Sequence, residues 1–265
     1  MTSRPLAFFL MFFLVLAPRP AQSDNAAEKL LLATCKLANE TSTAAGTVVC
    51  YETADDHTKC VIVTADHVLR QMKGDSFVLV SRSRNGDGYQ RQEIRVSIRS
   101  DGKPLWIKHA EHDVAVLPLP DSVQVDALPF DSLATENLLA KVHAGDAVWL
   151  AVFPERSEAN GAGFPILRNG TLASYPITPV KPNPMFLVDT TSWKGDSGGP
   201  VIHQSLRSPS GGPIVLGIVR GMRNITDTVK ESRFVERKTD YPMGITEVLH
   251  VVFARELIEQ IRSEN

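Results

Sequence analysis

Between Cys35 and Phe130 the chain never runs far enough without a turn signal to hold a crossover helix. Its apolar runs are short: 46–49, 61–63, 77–80, 94–98, 105–107 and 114–117, with Gly, Asn, Asp and Ser between them. Parallel strand neighbours need a connection of a dozen or more residues, usually helical, whereas antiparallel neighbours need only a tight turn. Asn85-Gly86-Asp87-Gly88 is such a hairpin turn, and Ser100-Asp101-Gly102-Lys103 is another. This spacing predicts a six-stranded antiparallel barrel over 34–135.

The same texture returns after a linker at 131–141 that has room for one helical turn. Runs at 147–153, 166–172, 185–188, 200–202, 214–219 and 244–245 predict a second six-stranded barrel over 136–246. Val248, Val251, Val252, Leu257, Ile258 and Ile261 then fall at helical spacing, which predicts a C-terminal helix over 247–265. Residues 24–33 read as a short helix or a loose leader. A chain of 265 residues, 43% hydrophobic, has the material for two such cores.

Three local patterns carry chemistry. Ser197 stands in Trp193-Lys194-Gly195-Asp196-Ser197-Gly198-Gly199-Pro200, where glycines let the backbone turn sharply and let a substrate approach the main chain. A serine hydroxyl is a weak nucleophile until a base takes its proton and a carboxylate orients the base. His67 ends the run Val63-Thr64-Ala65-Asp66-His67, and Asp113 opens Asp113-Val114-Ala115-Val116, so both candidates sit at strand ends. His112 is a rival base without a motif, and it reads as a solvated turn residue. Asp66 is expected to point away from its neighbour His67 on an extended chain. Gly195 to Gly199 also fits the Gly-x-Ser-x-Gly elbow of α/β-hydrolases, with Asp240 and His250 in the required order. That elbow must lead into a helix, and Pro200-Val201-Ile202 favours a strand.

In these three blocks, and in their order His, Asp, Ser, the chain resembles the chymotrypsin-like (trypsin-like) serine peptidases. The resemblance implies two antiparallel six-stranded β-barrels closed by a C-terminal helix. It also implies a secreted serine endopeptidase with His67, Asp113 and Ser197 as its triad and the N–H groups of Gly195 and Ser197 as its oxyanion hole. Alignment to the family puts Thr191 on the floor of the primary pocket, Arg220, Gly221 and Met222 on its walls and Gly244 behind. No carboxylate stands on that floor, because Asp189 lies two residues earlier. The implied preference is therefore a small or medium uncharged side chain, unless Arg220 and Arg223 reach inward and favour an acidic one. The stretch 223–241 is long for the family and is expected to overhang the cleft.

No Ile-Val-Gly-Gly start is present, so activation by N-terminal insertion is not expected, and Asp196 must find another partner if it is buried as an ion. A catalytically latent or binding-only member of the same fold is the alternative reading. Cys50 and Cys60 flank a polar turn between two apolar strands, a placement open to a bridge or to two buried thiols. In the resembled family a disulfide often ties these strands. Cys35 is left either as a buried free thiol or as a competitor for one of the other two.

Arg4, an apolar run from Leu6 to Ala17 and small residues at Ala21 and Ser23 predict a signal peptide over 1–23. The run is shorter than the roughly 20 residues of a spanning helix, so no stable membrane anchor is expected. Removing 1–23 takes away Arg4 and Arg19 and no acid, moving the formal charge from −2 to −4. That mild acidity argues against a nucleic-acid partner. His and Cys residues lack metal-ligand spacing, and neither a metal nor a cofactor is expected. The reading is of a secreted monomer, extracellular or periplasmic, whose partners are protein or peptide substrates.

Overall fold

The computed structural model describes residues 25–231 and 235–264. The predicted signal peptide at 1–23 lies outside the described residues. The leader opens on a helix, α1 (Ala26–Ala33), N-capped by Asn25, whose side chain accepts from the Ala27 amide. At its other end Arg82, nearly inaccessible to solvent, donates at 2.6 Å to the carbonyls of Leu31 and Thr34. A cation at a helix C-terminus meets both the unpaired carbonyls and the negative end of the dipole.

In chain order come β1 (Thr34–Ala38), β2 (Thr43–Glu52), β3 (Thr58–Thr64), a short helix α2 (Asp66–Gln71), β4 (Ser76–Asn85) and β5 (Gly88–Ser97). Then follow β6 (Arg99–Ser100), β7 (Lys103–Pro104), β8 (Ile107–Lys108), β9 (Ala115–Pro118) and β10 (Leu128–Pro129). The first half is an eight-stranded sheet of order β5-β4-β1-β2-β3-β9-β8, with β10 pairing beside β2 in parallel. Both anticipated turns close hairpins: Asn85 pairs with Gly88 and Ser100 with Lys103. Gly86, Asp101 and Gly102 take the positive φ that such two-residue turns demand.

The segment 131–141 holds a 3₁₀ turn (Phe130–Ser132) and one short helix, α3 (Glu136–Leu139). The second half consists of β11 (Ala147–Val152), β12 (Ile166–Leu172), β13 (Met185–Asp189), β14 (Pro200–Arg207), β15 (Pro213–Lys230) and β16 (Glu236–His250). It closes into a barrel of order β11-β12-β13-β16-β15-β14. The C-terminal helix α4 runs Val252–Glu264. Its start differs from the reading of 247 onward as helix, because residues 247–250 complete β16, where they pair with β13 and β15. The described residues of the stretch 223–241 are likewise mostly strand. From Asn224 paired with Pro242 to Lys230 paired with Glu236, β15 and β16 continue beyond the barrel as a two-stranded ribbon.

Cys50 and Cys60 stand directly opposite each other on β2 and β3 and form a disulfide, with Cα atoms 4.1 Å apart. Cys35 is the free thiol, fully buried on β1, and burial pushes its pKa up. No helix of the described residues is long and apolar enough to cross a membrane.

Candidate active site

His67 lies just past the end of β3, in the first turn of α2. Asp113 precedes β9, the strand that pairs with β3, so the pairing of Thr64 with Ala115 brings the two side chains together. The Asp113 carboxylate takes two bonds from one residue, the His67 amide on Oδ1 at 2.9 Å and the ring Nδ1 on Oδ2 at 2.7 Å. A carboxylate only accepts, so Nδ1 carries the ring proton and Nε2 is left as the basic nitrogen. Burial raises the pKa of Asp113, but the two bonds from His67 and the charge of Arg220 outweigh it and hold the carboxyl below its ordinary range. Asp66 points elsewhere, accepting from the Trp106 indole at 3.0 Å. His112 is not a solvated turn residue, because its ring packs on Phe253 of α4 with centroids 3.8 Å apart.

Ser197 comes from the other half, in the turn between β13 and β14. Its carbonyl accepts from Ala45 of β2 at 2.9 Å, and Ala45 accepts from the Thr64 hydroxyl at 2.8 Å. Gly198 is required at this junction. A Cβ there would lie 2.1 Å from Thr64 Oγ1 and 2.2 Å from the Ala45 carbonyl, quite apart from its φ of +82°. The Ser197 hydroxyl donates to the Arg220 carbonyl at 3.3 Å rather than to His67. Arg220 Nε also stands 3.7 Å from Asp113 Oδ2.

The turn holding Ser197 is fixed from inside by Asp196. Its Oδ2 accepts from the Trp193 amide at 2.8 Å and lies 3.7 Å from the Arg168 guanidinium on β12. Oδ1 is buried with no hydrogen-bond partner among the described residues. Burial pushes the Asp196 pKa up to about 6 against the pull of the Trp193 amide and Arg168. Arg168 thus supplies the partner that the sequence did not name.

In the same turn Gly195 adopts φ +99°, and a Cβ on it would sit 2.3 Å from the Phe153 carbonyl. Glu155 donates its amide to the Lys194 carbonyl at 2.7 Å. Glu155 and Arg156 both hold positive φ, a conformation that costs a non-glycine residue on the order of 1–3 kcal/mol and persists only where its surroundings enforce it. The enforcement comes from the first half. The Arg156 guanidinium donates to the carbonyls of Asn39 and Glu40 and to the Thr43 hydroxyl, while its own carbonyl accepts from Lys36 Nζ at 2.7 Å. Glu158 pairs with Lys36 at 2.8 Å and with Arg91. Among the described residues no backbone carbonyl takes the N–H of Gly195 or of Ser197.

Thr191 and Gly244 face each other beside this turn, a Cβ at Gly244 lying 3.9 Å from Thr191 Oγ1. A Cβ at Gly221 would meet nothing within 4 Å, and Met222 is half-buried. Arg220 and Arg223 do not stand as free cations, since both pair with Glu247, at 3.1 and 2.9 Å. Asp240, one half of the rejected hydrolase order, bonds Thr226 out on the ribbon, and His250 is wholly buried.

Sequence reasoning missed Arg168, Glu247 and the supports at Phe153 to Glu158. Arg168 alone had a visible signal. On β12 it shares the inward face with Ile166, Gly170 and Leu172 while Leu167 points out, an inverted pattern for a barrel strand.

Among solved structures, the human heparin binding protein is similar at 16% identity with a TM-score of 0.52, covering 88% of this chain and 92% of that one. The M. tuberculosis Rv3671c protease in its inactive form is similar at 18% identity with a TM-score of 0.48, covering 94% and 99%. The first of these likenesses marks the fold as chymotrypsin-like. No curated protein matches the chain by sequence. The family described as trypsin-like peptidase domain matches residues 23–207, most of the two halves and every candidate triad position. With that match the chain is assigned: it belongs to the trypsin-like peptidase domain family.

Proposed function

We propose that this protein is an exported serine endopeptidase. The observation that carries the reading is the preformed pair of His67 and Asp113, bonded at 2.7 and 2.9 Å, beside a serine held in a glycine-rich turn. In the reaction, Ser197 Oγ bonds to the carbonyl carbon of the scissile peptide while its proton passes to His67 Nε2. The carbonyl oxygen becomes an oxyanion, received by the N–H groups of Gly195 and Ser197. His67 then protonates the leaving amine as the C–N bond breaks, leaving an acyl-enzyme. Water, deprotonated by the same imidazole, releases the acid. Asp113 keeps the ring oriented and balances the imidazolium.

Thr191, Gly221, Met222 and Gly244 bound the primary pocket in this reading, which takes a small or medium uncharged side chain. The pairing of Arg220 and Arg223 with Glu247 argues against an acidic one. The disulfide of Cys50 and Cys60 is compatible with export, for which mass analysis of the mature chain should find a start near Asp24.

One observation favours the latent or binding-only alternative: the Ser197 hydroxyl is turned to Arg220. A fluorophosphonate probe separates the two. The folded protein should be labelled at Ser197, Ser197→Ala should lose labelling, and a peptide library should be cut after small uncharged residues. Folded protein that resists labelling would sink the peptidase reading. Dominant cleavage after Lys or Arg would overturn the pocket assignment.

A further inference from the structure

The turn that delivers Asp113 is tied together by a histidine side chain. His109 Nδ1 receives two backbone donors, the amides of Glu111 and His112, each at 3.1 Å. Two converging N–H groups leave no room for a proton on Nδ1, so His109 is the neutral tautomer protonated at Nε2. Nε2 lies 3.3 Å from Glu256 Oε2 on α4, which takes that proton's hydrogen bond. The turn continues with the Val114 amide donating to His112 at 2.8 Å and the His109 amide donating to Val114 at 3.0 Å. Asp113 projects from between these bonds.

The surroundings of the neighbouring His112 favour its uncharged ring. His112 stacks on His109 with centroids 4.8 Å apart and planes 20° from parallel, and both rings pack on Phe253. The titratable groups facing the pair are Glu111 on the same turn and Glu256 on α4. Asp113 lies beyond, held between His67 and Arg220. Burial, followed by the nearby His109, lowers the pKa of His112 against the pull of the two glutamates. Two cationic rings cannot stack there without repulsion.

We propose that His109 is a positioning residue for Asp113: its neutral imidazole holds the turn from which Asp113 grips His67, and a proton on Nδ1 releases that turn. The proposal rests on the reading of Asp113 as the group that orients the base. Protonated Nδ1 would point a third N–H at two backbone donors, so both bonds at 3.1 Å are lost together. The chain contains its own comparison. Asn39 Oδ1 accepts from the amides of Thr41 and Ser42, two and three residues on, in the same pattern but through an atom that does not titrate in this range. His203 repeats the histidine version far from the site, taking the Ser205 and Leu206 amides on Nδ1.

The test uses the full folded chain and the rate of Ser197 labelling between about pH 8 and pH 5, where histidines change charge. Labelling of the wild type and of His203→Asn should fall more steeply on acidification than labelling of His109→Asn. His109→Ala should label roughly 10- to 100-fold more slowly at the upper end, as expected when a reacting group is slightly misplaced, and His109→Asn should restore most of that loss. An acid limb in His109→Asn that matches the wild type would overturn the proposal. A second readout does not need catalysis. In Ser197→Ala, the amides of Glu111, His112 and His67 should lose hydrogen-exchange protection on acidification, and in Ser197→Ala with His109→Asn they should keep it. Equal behaviour of the two would also overturn it. No labelling of any variant, with this exchange difference intact, would instead sink the peptidase reading and leave the role of His109 standing.

Discussion

Asp196 and His250 are buried ionisable side chains whose protonation moves stability in opposite directions. Asp196 is raised from 3.8 to about 6 by burial, so between those values the folded protein holds a proton that the unfolded chain has lost. Its contribution is full below 3.8 and disappears as pH rises toward 6, about 3 kcal/mol in all. His250 is lowered by burial from 6.5 to about 4, its ring 4.9 Å from that of Phe186. Its contribution is full above 6.5 and disappears as pH falls toward 4, again by about 3 kcal/mol. The two slopes oppose each other across the same window. In a Ser197→Ala background, Asp196→Asn should therefore make urea stability fall more steeply between pH 6 and 4, and His250→Phe should make it fall less steeply. Unchanged slopes in both would refute the assignment. His67, Asp113 and Ser197 stood out as candidates because each sits in a short motif of its own, and the structure pairs the first two. Arg168, Glu247 and Arg156 were not, because each acts on a residue far away in sequence and brings no motif with it.

At the level of elements, short strands and their turns were legible and the ends of long ones were not. Val248, Val251 and Val252 fit a helical stripe, but Val248 and His250 equally fit the alternation of a strand, and closure of the barrel between β13 and β15 decides for the strand. The ribbon had a period-two signal that its many charges obscured. Ile225, Val229, Tyr241 and Met243 fall on one face, while Thr226, Lys230, Glu236 and Asp240 fall on the other. Both faces meet solvent: Ile225 and Tyr241, paired across the strands, are each more than half exposed. A lone two-stranded ribbon buries little and gains little. Replacing residues 224–242 with a short turn should cost less than about 1 kcal/mol and leave Ser197 labelling by a small probe intact, as measured by denaturation and labelling. A loss of several kcal/mol would show that the ribbon supports the barrel.

Across the whole molecule, the segment after β11 joins the two halves through Arg156 and Glu158. The Glu158 carboxylate is largely covered. Burial raises its pKa, but the bonds from Lys36 and Arg91 outweigh that and hold it below its ordinary 4.5. Its stabilisation is present above that value and is lost as pH falls through the depressed one. Glu158→Gln leaves two cations facing a neutral amide and should cost about 2–3 kcal/mol at neutral pH. It should also slow Ser197 labelling, because the same segment supports Gly195. Urea denaturation and labelling rate should fall together, and a stability loss with no change in labelling would separate the clamp from the site.

The Arg156 contact has a consequence for the life of the molecule before and after it is intact. Any parting of the halves withdraws His67 and Asp113 from Ser197 and, in the same movement, takes away the grip that keeps Glu155 and Arg156 in their unfavourable backbone shape. The candidate site comes apart and its neighbouring turn loses its scaffold at one stroke. Under the proposed function, nascent, damaged or half-digested copies would carry the candidate triad side chains without the assembled site.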